Sequence, residues 1–191
     1  DSDTHAHNYR VTILAIRLAE TLGLSDDAIR SLIKGAFLHD VGKIGIDDRV
    51  LKKPSGLTPE EFQLLQQHPV KGANIIRPVA KLREMIPGIE LHHESLDGHG
   101  YPYALKGEEI PAMARIIAVA DTFDAMTTNR PYQAAMDQDT ALDRIRALLP
   151  GEPDGGKGVL RRVEGCAAMS DDGGFHDDCV GQGDRHRLTD Y

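Results

Sequence analysis

Histidine and aspartate recur along this chain, separated by stretches that read as helices: His7, His39 with Asp40, His68, the doublet His92-His93, and Asp121. Whatever fold the chain adopts must scatter these five imidazoles and two carboxylates over the surface or gather them in one place. Imidazole and carboxylate without thiolate are the donors that divalent cations such as iron or manganese accept. One cation cannot use so many donors. The pattern therefore suggests two adjacent cations sharing a carboxylate, an arrangement suited to splitting a phosphodiester.

The segments between these residues read as helices, and the predicted fold class is all-α. Val11, Leu14, Ala15 and Leu18 recur at three- and four-residue spacing from His7 to about Leu22, where Gly23 supplies a stop. Ser25 is an N-cap for a helix whose buried face is expected to include Ile29, Leu32, Ile33, Ala36 and Phe37, and which delivers His39 and Asp40 near its end. Thr58-Pro59-Glu60-Glu61 is a capping box with proline at the first helical position, opening a helix to about Gln67. Pro69 resets the chain into another helix through Ile76. Ile86 to Leu96 is expected to carry the histidine doublet on a helix, followed by a loop over Asp97-Gly98-His99-Gly100-Tyr101-Pro102. Pro111 opens the most apolar helix, to Met126, and Asp139 or Thr140 opens the last, ending near Leu149. Strands find little support.

Composition narrows the function. Apolar residues make up 40% and charged residues 27%, as in a soluble globular protein, and no apolar run is long enough for a membrane span. The net charge of −8 argues against a generic DNA or RNA binder, although bound cations would attract phosphate locally. The body of the chain lacks cysteine, which fits a cytoplasmic location. Residues 1–150 form the expected domain. The glycine-rich segment 151–191 has no apolar periodicity and reads as a disordered tail. Cys166, His176, Cys179 and His186 lie in that tail at a spacing that matches no compact zinc site.

Several motifs in series resemble the HD-GYP family. They are His7-Asn8-Tyr9-Arg10-Val11, Phe37-Leu38-His39-Asp40-Val41-Gly42-Lys43-Ile44-Gly45-Ile46 and His68-Pro69-Val70-Lys71-Gly72. The fourth is His92-His93-Glu94-Ser95-Leu96-Asp97-Gly98-His99-Gly100-Tyr101-Pro102. Ala120-Asp121-Thr122-Phe123-Asp124-Ala125-Met126 with Asn129-Arg130-Pro131-Tyr132 completes the set. The resemblance covers about residues 1–150 and implies an HD-domain helical bundle and a bacterial phosphodiesterase of cyclic di-GMP. The expected products are linear pGpG and, onward, GMP, formed by a water activated by two bridged metals, iron or manganese. Cyclic GMP-AMP is an alternative substrate. A non-hydrolysing receptor or interaction module is an alternative role. The resemblance further implies a diguanylate cyclase domain as partner and an upstream sensor or receiver domain in a longer parent chain.

By the same resemblance His7, His39, Asp40 and Asp121 hold one metal, and Asp40 bridges to a second held by His68, His92 and His93. A carboxylate suits the bridge because each oxygen can serve one cation. Asp3, four residues before His7, either contributes to a third metal or acts as an N-terminal helix anion. Lys43 either neutralises a phosphate oxygen or covers the bundle as a surface lysine. Arg130 matches the family's substrate-side arginine, or completes the dipole of a helix C-terminus. Gln133 stands where the family often has a basic residue. Gly100 and Tyr101 belong to a loop that shapes the rim of the site or serves as a plain turn; Gly98 and Gly100 permit positive φ, and Asp97 is placed to orient a ligand imidazole. Arg10 is expected to pair with a buried carboxylate or reach the phosphate. His5 and His99 have no motif position and should be exposed. The family's phenylalanine-aspartate-proline motif and following helix are missing after Gly151, which would leave apolar bundle surface exposed.

Overall fold

Local signals in the chain start most of its helices. The Ser25 hydroxyl accepts from the Ala28 amide at the head of α2 (Asp26–Leu38), and Gly23 at φ +71° ends the preceding α1 (Ser2–Thr21). Thr58 and Glu61 form a reciprocal capping box at α4 (Pro59–Leu65), with Pro59 in its first turn. Short α3 (Asp48–Leu51) precedes it, and α5 (His68–Ile76) follows with its own early proline. Then come α6 (Ile86–Leu91), α7 (Ala112–Thr127) and α8 (Gln138–Ala147). Short 3₁₀ segments occupy Val41–Gly45, Ala80–Met85 and Gly107–Glu109. This computed structural model describes residues 2–129 and 134–147, with the side chains of Ser2 and Asp3 excluded. No strand occurs among the described residues, and no helix there is long and apolar enough to cross a membrane.

The bundle buries two apolar clusters. In the larger, Val11, Ala15 and Leu18 of α1 meet Leu32 and Ala36 of α2, Ile117, Ala120 and Phe123 of α7, and Leu142 and Ile145 of α8. In the smaller, Ile76, Met85 and Ile89 join α5 to α6, with Leu38 and Val41 packed against them. Burying a side chain of this size contributes roughly 1.5–3 kcal/mol, so these clusters fix the relative placement of the helices. The ends of α2 and α6, the start of α5 and the middle of α7 converge between them.

Two expectations are corrected. Phe37 is 44% exposed rather than buried. At 100° per residue it points about 140° away from Leu32, and the buried stripe runs through Leu32, Gly35, Ala36 and His39 instead. Helix α6 also stops at Leu91, and the histidine doublet lies in the turn after it. On a helix, neighbouring residues diverge by about 100°, which would send one imidazole out of the bundle. In the turn the two rings stay together, with centroids 4.1 Å apart. The expected tail at 151–191 lies outside the described residues.

A candidate two-cation centre

His39 is the C-cap residue of α2, His68 opens α5 and His92 closes α6. All three use the same local device. The Nδ1 atom of each ring donates to the carbonyl three residues earlier: His39 to Ala36 at 2.7 Å, His68 to Leu65 at 2.8 Å and His92 to Ile89 at 2.8 Å. A carbonyl can only accept, so Nδ1 carries a proton and Nε2 is the atom each ring presents to the interior. Gly42 makes the approach of α5 possible, since a Cβ there would lie 1.8 Å from the His68 carbonyl oxygen.

These Nε2 atoms converge on Asp40. Its Oδ1 lies 3.3 Å from His68 Nε2, and its Oδ2 lies 3.5 Å from His39 Nε2 and 3.8 Å from His7 Nε2. Potential ligand atoms group as His68, His92 and His93 on one side, and as His7, His39 and Asp121 on the other. A third group, His39, Asp40 and His92, connects them. Asp40 thus has one carboxylate oxygen toward each side. Lys43 from the 3₁₀ turn pairs with Asp40 Oδ2.

Charge on the two sides differs. Burial drives the His92 imidazole well below its ordinary pKa and lowers that of His93 to about 4, so both rings are neutral near pH 7. Burial also opposes charge on His7, but hydrogen bonds to Asp121 and Asp124, with their negative charges, outweigh it and raise its pKa to about 9. Burial alone would raise the Asp40 carboxyl; the hydrogen bond from His68 and the positive fields of His39 and Lys43 hold it well below its usual range. Asp121 is held low in the same way, against its burial, by His7 and His39.

The donor set fits divalent cations. His39 Nε2 is buried and has no hydrogen-bond partner. The Nε2 atoms of His68 and His92 face each other at 3.4 Å, while each ring's Nδ1 proton is committed to a carbonyl. Two Nε2 atoms so placed can both serve as donors to a cation held between them. Oxygen and nitrogen donors without sulfur suit iron, manganese or zinc alike.

One contributor was not assigned a role from the motifs. Asp124 is 2% exposed and accepts from His7 Nδ1 at 2.7 Å, from Arg10 Nε and Nη2, and from the Thr128 hydroxyl at 3.2 Å. It orients the His7 ring as carboxylates commonly orient ligand histidines. Its position one helical turn after Asp121 was the available signal. Arg10 therefore pairs with a buried carboxylate, the first of the two roles expected for it. Asp97 does not orient a ligand: it bonds the His99 amide at 2.9 Å and faces the exposed His99 ring at 3.3 Å. Glu94 is the buried carboxylate of that loop, accepting from the amides of Tyr103 at 2.7 Å and Leu105 at 2.9 Å. Of the two loop glycines only Gly98 has positive φ; Gly100 is required by close packing, since a Cβ there would lie 2.2 Å from the Ser95 nitrogen. Tyr101, joined to Pro102 by a cis bond, stacks on His93 at 4.7 Å and 27°. His5 and His99 are exposed. Asp3 falls on α1 with its side chain undescribed, and Arg130 and Gln133 lie outside the described residues.

A helical bundle gathering a helix-end His-Asp pair and further histidines around one buried carboxylate is the architecture of an HD domain. The chain belongs to that family: the HD domain family model matches residues 2–148. It is 45% identical over 150 residues to a cyclic di-GMP phosphodiesterase of Thermotoga maritima, covering 78% of this chain and 41% of that one. It is 39% identical over 139 residues to 3'3'-cGAMP-specific phosphodiesterase 3 of Vibrio cholerae, covering 73% of this chain and 30% of the relative. The chain thus spans less than half the length of these curated relatives. Its fold also matches that of an HDG"Y"P protein from Bdellovibrio bacteriovorus, with a TM-score of 0.65, 24% identity, and coverage of 84% of this chain and 51% of that one.

Proposed function

We propose that this domain is a metal-dependent phosphodiesterase that hydrolyses cyclic di-GMP to linear pGpG and onward to GMP. The observation that carries this reading is Asp40, whose two oxygens are directed to two separate groups of imidazoles. His7, His39 and Asp121 would hold one cation with Asp40, and His68, His92 and His93 would hold the second. Asp3, four residues before His7 in the sequence, would contribute to a third. Two iron or manganese ions there would supply an activated water and offset the charge developing on the phosphoryl group.

The chain's own residues do the rest. The carbonyl-anchored rings hold Nε2 inward without needing to reorganise as charge develops. Lys43, at 37% side-chain exposure, sits at the solvent side of Asp40, where its ammonium can leave the carboxylate for a phosphate oxygen. Arg130 is assigned to the substrate as a planar, permanently charged partner for phosphate or a guanine edge. Gly100 and Tyr101 shape the rim beside His93. The relative active on cyclic GMP-AMP supports a second reading, in which the substrate is that mixed dinucleotide. A receptor that binds without cleaving is the remaining alternative. A diguanylate cyclase domain as partner, an upstream sensor or receiver domain, and a cytoplasmic setting complete the proposal.

The test is protein loaded with manganese, or with iron under reducing conditions, incubated with cyclic di-GMP and with 3'3'-cGAMP and followed by chromatography. Appearance of linear product, lost on chelation and restored by metal, supports the enzyme. Binding without product supports the receptor. Faster cleavage of the mixed dinucleotide supports the second substrate.

A further inference from the structure

The partly exposed members of the centre mark its open side. His39, His68 and His92 are buried, whereas His93, Asp121, Lys43 and Tyr101 all retain some exposure. Tyr101 lays its ring along His93, and Phe62 meets Tyr101 nearly edge to face, at 6.4 Å and 78°. Phe62 is thus two ring contacts from a candidate cation ligand. It remains 46% exposed, so nearly half of its surface is uncommitted.

The helix beneath it is unusual. No residue of α4 is fully buried, so no core packing demands an aromatic residue at this position. The helix is held from its ends instead. Its N-terminus carries the capping box, Lys53 pairs with Glu61, and the Leu65 carbonyl at its C-terminus accepts from His68. This fixes the ring of Phe62 beside the centre while leaving it open to solvent. Exposing an aromatic ring in water forfeits its burial free energy, which a flat apolar ligand would restore.

We infer that Phe62 is a nucleobase-stacking residue, taking the base of a nucleotide whose phosphate lies at the Asp40 centre. The inference rests on the cyclic-dinucleotide reading and deepens it. A base is separated from its own phosphate by one sugar, a separation that suits a ring placed beside the cation centre rather than within it. Stacking is tolerant of base identity because every base has a π-face. Phe62 therefore contributes affinity without choosing between guanine and adenine, in keeping with relatives that act on either dinucleotide.

The test uses the manganese-loaded protein with Phe62→Leu, which keeps apolar volume without an aromatic face, and Phe62→Trp, which keeps the face. Metal content and thermal melting are measured on each. For cyclic di-GMP hydrolysis, Phe62→Leu should raise KM by about ten- to a hundred-fold with little change in kcat. Phe62→Trp should restore KM to within about threefold of the parent. Inhibition by inorganic phosphate, which has no base to stack, should be the same in all three proteins. Equal KM values in Leu and Trp variants would overturn the inference, as would a loss confined to kcat or accompanied by loss of metal. A parent protein that neither binds nor cleaves any cyclic dinucleotide would overturn the functional reading, and this inference with it.

Discussion

His68 and His92 fix their rings through backbone carbonyls, whereas His7, across Asp40 from them, fixes its ring through the carboxylate of Asp124. Each device leaves Nε2 inward, yet the electrostatic outcome is opposite. The carbonyl-anchored His92 is kept neutral by burial, and so is His93 beside it. His7, between Asp121 and Asp124, holds a second proton up to about pH 9, its burial notwithstanding. His92 and His93 can accept a cation as folded. His7 must release a proton before its Nε2 can do so.

The largest expected effect removes what the two sides share. Asp40→Ala should lose both cations and bring hydrolysis to background, with the helical circular dichroism spectrum retained; a variant that keeps metal and turnover would reject the bridging assignment. Next, Asp124→Asn should weaken only the His7 side. The expected loss of metal affinity is about ten- to a hundred-fold, with one tightly held cation surviving on the His68 side. Equal loss of both cations by elemental analysis would erase the distinction. The same variant should lower the pKa of His7, followed by its imidazole NMR signals.

A pH titration sharpens the contrast further. Below about pH 9 the His7 proton must leave when metal binds, so uptake should release a proton and apparent affinity should fall about tenfold for each pH unit of acidification. Calorimetry in buffers of different ionisation enthalpy counts that proton, and a count of zero contradicts the charged state of His7. Stability of the metal-free protein follows the same groups. The contribution from His7, whose pKa is raised, is complete below 6.5 and is lost as pH rises through about 9. That from Asp124, whose pKa is lowered by His7 and Arg10 against its burial, is present above 3.8 and is lost as pH falls through its folded value. Denaturant melts should therefore weaken toward both acid and alkali, and the alkaline limb should flatten in Asp124→Asn. The smallest effect lies away from either side: Thr58→Ala should cost about 1 kcal/mol in a urea melt with metal content unchanged.

Much of the fold was legible because its signals are local. Ser25, Gly23 and the Thr58–Glu61 box act within one helical turn of themselves, and Val11, Ala15 and Leu18 mark their face by spacing alone. What stayed hidden depends on contacts distant in sequence. The departure of His92-His93 from helix is set by the loop that Glu94 pins from Tyr103 and Leu105, and nothing between Ile86 and Leu96 announces it. Phe37 misled because its apolar character outweighed its angular position. Asp124 was legible in principle, one turn from Asp121, but its partners His7 and Arg10 lie more than a hundred residues earlier. The pairing of Phe62 with Tyr101 likewise joins separate segments.

The repeated i−3 bond at His39, His68 and His92 has a consequence for assembly. Each ring is aimed by its own chain segment before any neighbour arrives, so bringing helix ends together is enough to complete the cage. Cutting or lengthening the links between these ends should spare the aim of the rings and tax only the rate at which the pieces meet.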